Sequence, residues 1–387
     1  MNFVEYKYKD IGKIRSGKRL KKGYAVSNTK SNNRYIRVRD IYNGMINEKD
    51  VQYITDEAAS FIKKYRVYTN DLIISVVGTV GAIATIPEAL NGAYLTENCD
   101  NLLVDEKICL KEYLKYYLMS SEGQNEINSH IVGTTQPKLP IYGIEAFNIK
   151  VPSIEIQSKI IKLLNILNKK ILLNTYTNNN LLEIGDAIYI ANINRYNNSK
   201  LPKDWKTKTL KEVTNNFDFK RKPMSSRERI EHKGKYPYYG ATSIIDYVDD
   251  FIFDNTYILM GEDGTVITSD NKPVLQYVWG KIWVNNHAHV LQGKNISEEY
   301  LYFCLRNTDV KALITGAVQP KINQENMNKL RVIIPDRRTL TEVENKLSTI
   351  MKKYKENSNE INILIKIRDA LLPKLMNGEI DLDKIEI

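Results

Sequence analysis

Cysteine is almost missing from this chain: Cys99, Cys109 and Cys304 are the only three in 387 residues. A set that is odd, sparse and irregularly spaced argues against a disulfide framework, and no Cys-x-x-Cys pair occurs. Long apolar runs are missing too. No stretch approaches the ~18 apolar residues that a membrane span requires. The start, Met1-Asn2-Phe3-Val4-Glu5-Tyr6-Lys7, has no apolar core of a signal peptide. The expectation is a cytoplasmic protein without a membrane partner. Catalytic constellations are also absent. No Ser-His-Asp or Cys-His arrangement stands out, and no Phe-x-Gly-x-Gly or Asn-Pro-Pro-Tyr pair marks a methyl-donor pocket.

Positive charge is present in excess. Lys and Arg number 56 against 46 Asp and Glu, a net charge of +10. The pI is about 9.1. Nucleic acid is the first partner this implies and an anionic membrane surface the second. With 42% hydrophobic residues, the chain can bury real cores. Its length predicts two to three domains.

The chain also repeats itself. Gly133-Thr134-Thr135-Gln136-Pro137-Lys138-Leu139 returns as Gly316-Ala317-Val318-Gln319-Pro320-Lys321-Ile322, an offset of 319 − 136 = 183. Pro152 maps onto Pro335 by the same offset, 335 − 152 = 183. The strand run Asp71–Val77 ends in Gly78-Thr79-Val80-Gly81, with Gly81–Ile86 as its hairpin partner. Tyr257–Met260 leads into a matching Gly264-Thr265-Val266, and Glu112–Leu118 matches Glu299–Leu305. The predicted organisation is a globular part at 1–152, a helical region at 153–194 and a linker at 195–203. A second globular part at 204–335, a second helical region at 336–376 and a tail at 377–387 follow. A pseudo-dimer of this kind suits a partner with two related halves, such as DNA.

The second helical region is a heptad. Its seam is Leu340, Val343, Leu347, Ile350, Tyr354, Ile361, Leu364, Leu371 and Leu375, with Asn357 and Arg368 filling the remaining positions. Such a helix spans roughly 54 Å. The first region carries a weaker stripe: Ile160, Leu164, Leu167 and Ile171, then polar Asn178, then Leu182. Each stripe needs a partner. The simplest is the other helix of the same chain, packed antiparallel, with the polar positions fixing register.

Three motifs imitate chemistry. Gly12-Lys13-Ile14-Arg15-Ser16-Gly17-Lys18-Arg19 nearly spells a phosphate-binding loop, but Arg19 stands where Ser or Thr would hold Mg²⁺. Pro335-Asp336 with Glu344-Asn345-Lys346 resembles a nuclease set, yet Glu344 and Lys346 lie inside the heptad helix. His287-Ala288-His289 offers two imidazoles where a zinc site needs three or four ligands. The bland readings prevail: a basic loop, solvated helix charges, and structural or DNA-facing histidines.

The two divergent stretches carry more signal. Ser16–Arg39 holds Lys18, Arg19, Lys21, Lys22, Lys30, Arg34, Arg37 and Arg39, interleaved with Tyr24 and Tyr35. The segment 217–242 holds Lys220, Arg221, Lys222, Arg227, Arg229, Lys233 and Lys235, with Tyr236, Tyr238, Tyr239 and Thr242. Lysine and arginine neutralise phosphates, and arginine also reads guanine edges. One basic run is usually a solvated surface; two at corresponding places in a duplicated chain point to DNA contact. Thr79 and Thr265 of the Gly-Thr-Val turns join this candidate set. Gln136 and Lys138, with Gln319 and Lys321, admit two readings: DNA contact, or a structural turn.

The layout resembles the specificity subunit of type I restriction-modification systems. Its marks are Pro202-x-x-Trp205, the Gly-Thr-Val turn, Gly-x-x-Gln-Pro-Lys, the apolar run into Pro152 and Pro335, and the helix after each. The first half departs from this pattern, starting at Tyr6-Lys7-Tyr8-Lys9-Asp10-Ile11-Gly12 without the Pro-x-x-Trp element. The resemblance implies an α+β chain: two mixed α/β target-recognition domains separated by two long helices in an antiparallel coiled coil, with a pseudo-two-fold repeat. It implies double-stranded DNA as ligand, each domain reading a few base pairs in the major groove. The helices would set the gap between half-sites, which lie about 34 Å apart per turn of B-DNA. They would also dock two methyltransferase subunits that methylate adenine N6 with S-adenosylmethionine. Two ATP- and Mg-dependent translocase–nuclease subunits would join for restriction, leaving this chain without catalysis or cofactor. Two other readings remain: a solitary DNA-modifying or restriction enzyme, and a coiled-coil scaffold that reads no sequence.

Overall fold

The computed structural model of the chain describes residues 2–42, 44–196, 201–316, 320–380 and 382. It contains two compact units, Met1–Leu172 with Ile361–Ile387, and Leu173–Glu360. The division falls inside both long helices, Ile154–Asn192 and Arg337–Met376. Each unit therefore holds one globular part and one half of each helix.

The two units are built on one plan. In the first, Phe3–Lys7 pairs antiparallel with Asn148–Pro152, Phe3 lying opposite Pro152. In the second, Lys206–Thr209 pairs the same way with Arg331–Ile334. The first half thus has its opening strand despite lacking the Pro-x-x-Trp element. In the second half that tryptophan is an anchor: Trp205 Nε1 donates to Asp336 Oδ2 at 3.0 Å. Asp336 also accepts the Arg338 and Thr339 amides, both at 3.1 Å, capping the long helix. Glu344 accepts the Ser297 amide at 2.6 Å. The apparent nuclease residues are thus a helix cap and a loop tether.

A four-stranded antiparallel sheet follows in each unit. Its order in the first is Gly12–Ser16, Cys99–Val104, Leu72–Ser75, Ile83–Thr85, and in the second Thr214–Asn216, Ala288–Gly293, Tyr257–Gly261, Leu275–Val278. Leu72–Ser75 and Tyr257–Gly261 read as apolar runs because both faces are covered; Leu72, Ile73 and Ile74, like Ile258, Leu259 and Met260, are fully buried. The second copy delays its hairpin partner to Leu275. A turn closed by the Thr268 amide on the Lys272 carbonyl, 2.8 Å, lies between.

The divergent stretches fold around a second sheet, three-stranded in the first unit and four-stranded in the second. In each unit it includes one parallel contact, Tyr35 opposite Tyr94 in the first and Tyr238 opposite Trp283 in the second.

The helix halves belong to the cores. In the first unit Ile160 and Leu164 of one helix and Leu372, Leu375 and Met376 of the other join Leu72, Tyr113 and Phe147. In the second, Tyr189 of the first helix, Ile193 just after it, and Leu340, Val343, Leu347 and Met351 of the second join Ile258, Tyr300 and Phe303. Each fully buried leucine contributes roughly 2 kcal/mol. In both units the early end of one helix meets the late end of the other, so the pair runs antiparallel. Of the remaining seam positions, Ile350 and Asn357 are buried, whereas Leu167, Ile171, Leu182, Tyr354, Ile361, Leu364, Arg368 and Leu371 are half-buried. Gly185 lets the first helix touch Phe303 directly: a Cβ there would lie 2.1 Å from the ring. No helix among the described residues is long and apolar enough to cross a membrane.

Candidate nucleic-acid interface

Gly-x-x-Gln-Pro-Lys is a closed loop in both units. The Val132 amide donates to the Lys138 carbonyl at 2.8 Å and the Lys138 amide returns the bond at 2.9 Å. Thr315 and Lys321 make the same reciprocal pair at 2.9 and 2.8 Å. Gly133 and Gly316 both have φ of 87°, a left-handed value that favours glycine. The loop is docked onto the end of the central strand: Leu139 donates to the Val76 carbonyl and Ile322 to the Glu262 carbonyl, each at 2.9 Å.

That strand end is the Gly-Thr-Val turn, so the two recurring motifs are neighbours. In the second unit the Gly264 amide donates to the Pro320 carbonyl at 3.1 Å. Thr79, Gln136 and Lys138 are exposed and share this edge of the first unit; Thr265 and Lys321 share it in the second. Gln319 lies outside the described residues. The lysine backbone closes the loop, while Gln136 stands free at its tip.

Beneath this edge in the second unit lies a cluster of charges. Asp218 Oδ2 is 2.6 Å from His289 Nδ1, and His289 Nε2 donates to the Ile322 carbonyl at 2.8 Å. Arg221 donates to Glu262 and to the Ala288 carbonyl, both at 2.7 Å, and sits 3.7 Å from Asp218. Lys321 Nζ lies 3.2 Å from Glu262. Burial alone would raise the Asp218 carboxyl, but the hydrogen bond and charge of His289 and the Val290 amide hold it below the usual range. Glu262 is held low against burial by Arg221, His289 and Lys321. Ligand atoms of Asp218, Glu262 and His289 fall within 4.8 Å of one another. Both imidazole nitrogens are already engaged, however, and two cations occupy the carboxylates, so the cluster serves as an internal ion network. His287 turns to Asp263 instead.

The basic stretches divide into tethered and exposed groups. In the first unit Arg37 is held by Asp40 and by the Asp50 carbonyl, both at 2.7 Å, and Arg19 pairs with Glu97 at 2.5 Å. Arg34 lies over Tyr53, Lys18 over Tyr65, and Lys21 over Phe61 at 4.3 Å. Lys22 is exposed. Lys30, Arg37, Arg39 and Lys49 line a cleft of about 610 Å³ with Asn28, Gln52 and Tyr53. Lys49 stands outside the basic run, and only the folding of the 41–53 segment brings it there.

In the second unit Arg221 is occupied as described. Arg229 lies 3.5 Å from Asp246, donates to the Met224 carbonyl at 2.7 Å and covers Tyr238. Arg227 pairs with Glu231 along an exposed helix turn. Tyr239 lies in the second sheet and packs against its core, and burial pushes its hydroxyl up to about 12. Lys220, Lys222 and Thr242 are exposed. Beside Lys220 stands an exposed phenylalanine, Phe219, which charge counting gave no reason to select.

Comparison with known proteins fits this duplicated plan. The sequence model of the type I restriction modification DNA specificity domain matches residues 1–183 and again 202–368. A Haemophilus influenzae protein bearing the name of a type I restriction enzyme specificity subunit is 33% identical over 141 residues, 36% of this chain and 35% of that one. The match thus spans about a third of that relative. The MjaIX specificity subunit of Methanocaldococcus jannaschii is 22% identical over 310 residues, 71% of this chain and 70% of that one. Among solved structures, the S subunit of a type I restriction-modification system from M. genitalium has the same fold. It aligns at a TM-score of 0.56 and 16% identity, over 97% of this chain and 96% of that one.

Proposed function

The chain belongs to the type I restriction-modification DNA specificity family, and from that premise we propose that it is the non-catalytic, sequence-reading subunit of a cytoplasmic type I complex. Each unit reads one block of a bipartite double-stranded target. Exposed lysines and arginines take phosphates, and side chains on the second sheet and the loop edge take base edges. The antiparallel helices hold the unread gap and dock two methyltransferase subunits. S-adenosylmethionine binds those subunits, while ATP and Mg²⁺ bind the translocase–nuclease subunits that join for restriction. The observation that carries this reading is the repeated edge: one sheet order, one Gly-Thr turn and one Gly-initiated loop, built twice around different basic stretches.

Methylation sequencing of the host with and without the gene tests it. The expected result is loss of a single N6-adenine motif made of two short blocks around a fixed gap. Inserting one heptad into both helices should lengthen that gap and leave both blocks unchanged. Retention of every motif after deletion, in a host shown to express the chain with its methyltransferase, would overturn the reading.

A further inference from the structure

Phe219 occupies a position that needs an explanation. It is 79% exposed, the highest value of any large apolar side chain among the described residues. It is not at the tip of a loose loop. The turn Asp218–Lys220 is fixed on one side by the Asp218 carboxylate, which accepts the Val290 amide at 2.8 Å and meets His289 at 2.6 Å. Just before it Phe217 packs edge-on against Tyr257, 5.6 Å between ring centres. The ion network beneath therefore holds an apolar ring out in water.

The corresponding place in the first unit carries no side chain. Asp100 pairs with Ser16, and Asn216 pairs with Leu291. The strand bearing Asp100 pairs Cys99 with Ser75, while its counterpart pairs Ala288 with Gly261. Ser75 and Gly261 each stand three residues before the turn glycine, 78 − 75 = 264 − 261 = 3. Asp100 then matches His289, Ser16 matches Asp218, and Gly17 matches Phe219. A Cβ on Gly17 would lie 1.9 Å from the Thr96 carbonyl oxygen, so that unit excludes what the other displays.

The surroundings of the ring name its ligand. Lys220 and Lys222 follow it in the chain, both exposed, and the Lys220 ammonium lies over the ring, so the ring sits in a basic stretch that attracts polyanions. We propose that Phe219 makes the second unit's apolar contact with the C5-methyl group of a thymine in the major groove, with Lys220 and Lys222 on the neighbouring phosphates. Thymine is the base that adds a methyl group to its major-groove edge, beside the O4 acceptor, and phenylalanine is among the side chains that pack against that methyl. Apolar wedges between bases are a device of minor-groove binders, and here the Lys220 ammonium lies over the ring at 5.9 Å, so a side-on contact with the methyl is the arrangement proposed. This inference rests on the DNA-reading function proposed above.

The test compares the full-length wild-type chain with Phe219→Ala and Phe219→Leu, each used to enrich bound duplexes from a random library. Wild type should enrich two blocks. Phe219→Ala should lose preference at one thymine in one block, leaving the other block intact, and Phe219→Leu should keep part of it. Replacing that thymine by deoxyuridine, which lacks the methyl, should weaken wild type roughly fourfold and leave Phe219→Ala unchanged. Identical blocks from wild type and Phe219→Ala, or equal weakening of both by deoxyuridine, would overturn the thymine contact alone. If wild type enriches no block, the DNA-reading function fails and the contact falls with it.

Discussion

Asn357 donates a hydrogen bond to Asn178 at 2.9 Å from one long helix to the other, and both side chains are buried. Asn178 donates in turn to Ser358 Oγ at 2.9 Å and to the Tyr354 carbonyl at 3.3 Å. Four residues earlier, buried Asn174 donates to Glu360 at 2.7 Å. These amides occupy places that the heptad otherwise fills with apolar side chains. Sliding either helix would separate them and leave buried amides unpaired, so the ladder selects one register at some cost in stability.

Replacing one member of the ladder should therefore hurt more than replacing two. Asn357→Leu alone should lower unfolding free energy by on the order of 2 kcal/mol. Adding Asn178→Leu should recover most of that, as read by denaturant melts of the full chain. Equal losses from the single and double variants would show that the pair is not coupled.

The ion network of the second unit predicts a pH-dependent stability. Asp218 and Glu262 have folded pKa values below the usual carboxylate range. Their contribution is therefore fully present above the unfolded value of about 4, and is lost as pH falls through the lowered folded values. At pH 7 Asp218→Asn should be less stable than wild type by on the order of 3 kcal/mol. The gap should close in acid. A gap independent of pH would mean that Asp218 acts through shape rather than charge.

Tethered and exposed cations should separate in a salt titration. Lys30, Arg39 and Lys49 changed together to Gln should leave melting temperature unchanged and flatten the plot of log affinity against log salt. The slope should fall by up to about 0.9 for each phosphate left without its cation. Arg221→Gln should instead lower the melting temperature, since it strips Glu262 and the Ala288 carbonyl of their donor. A flattened slope with unchanged stability for Arg221→Gln would place that guanidinium on DNA after all.

The thiols should be silent in the native protein. Burial pushes Cys304 up to about 11 and Cys109 up to about 12, and raises Cys99 as well. Little thiolate is then available at pH 8. An aromatic disulfide reagent should titrate none of the three before unfolding and all three after it. Rapid labelling of one thiol in the native chain would reveal local opening around it.

What could be read from the residues was mostly what is local or repeated. The heptad from Leu340 to Leu375 shows its period within one segment, and the Gly-x-x-Gln-Pro-Lys repeats are closed by the same backbone bonds, with Gly133 and Gly316 at the same φ. The fates of the arginines were hidden. Arg221 reaches Glu262 across 41 residues of chain and Arg306 reaches Asp186 across 120, and no local pattern announces such pairs. Asn174 escaped notice for another reason: a polar residue on a helix stripe looks like an interruption until its partner is known. Phe219 escaped because an aromatic residue ordinarily signals core.

The two-stranded pairing that opens and closes each globular part has a consequence for inheritance. With Phe3 opposite Pro152 and Lys206 opposite Ile334, everything between those strands leaves and returns at one doorway. Segments whose ends lie together tolerate replacement well. A gene fragment encoding residues between 8 and 147 could be exchanged for a foreign one with matching ends, and the chain would keep both long helices while acquiring a new vocabulary on one side. Selection for novelty in such a protein need not proceed residue by residue; it can proceed by cassette.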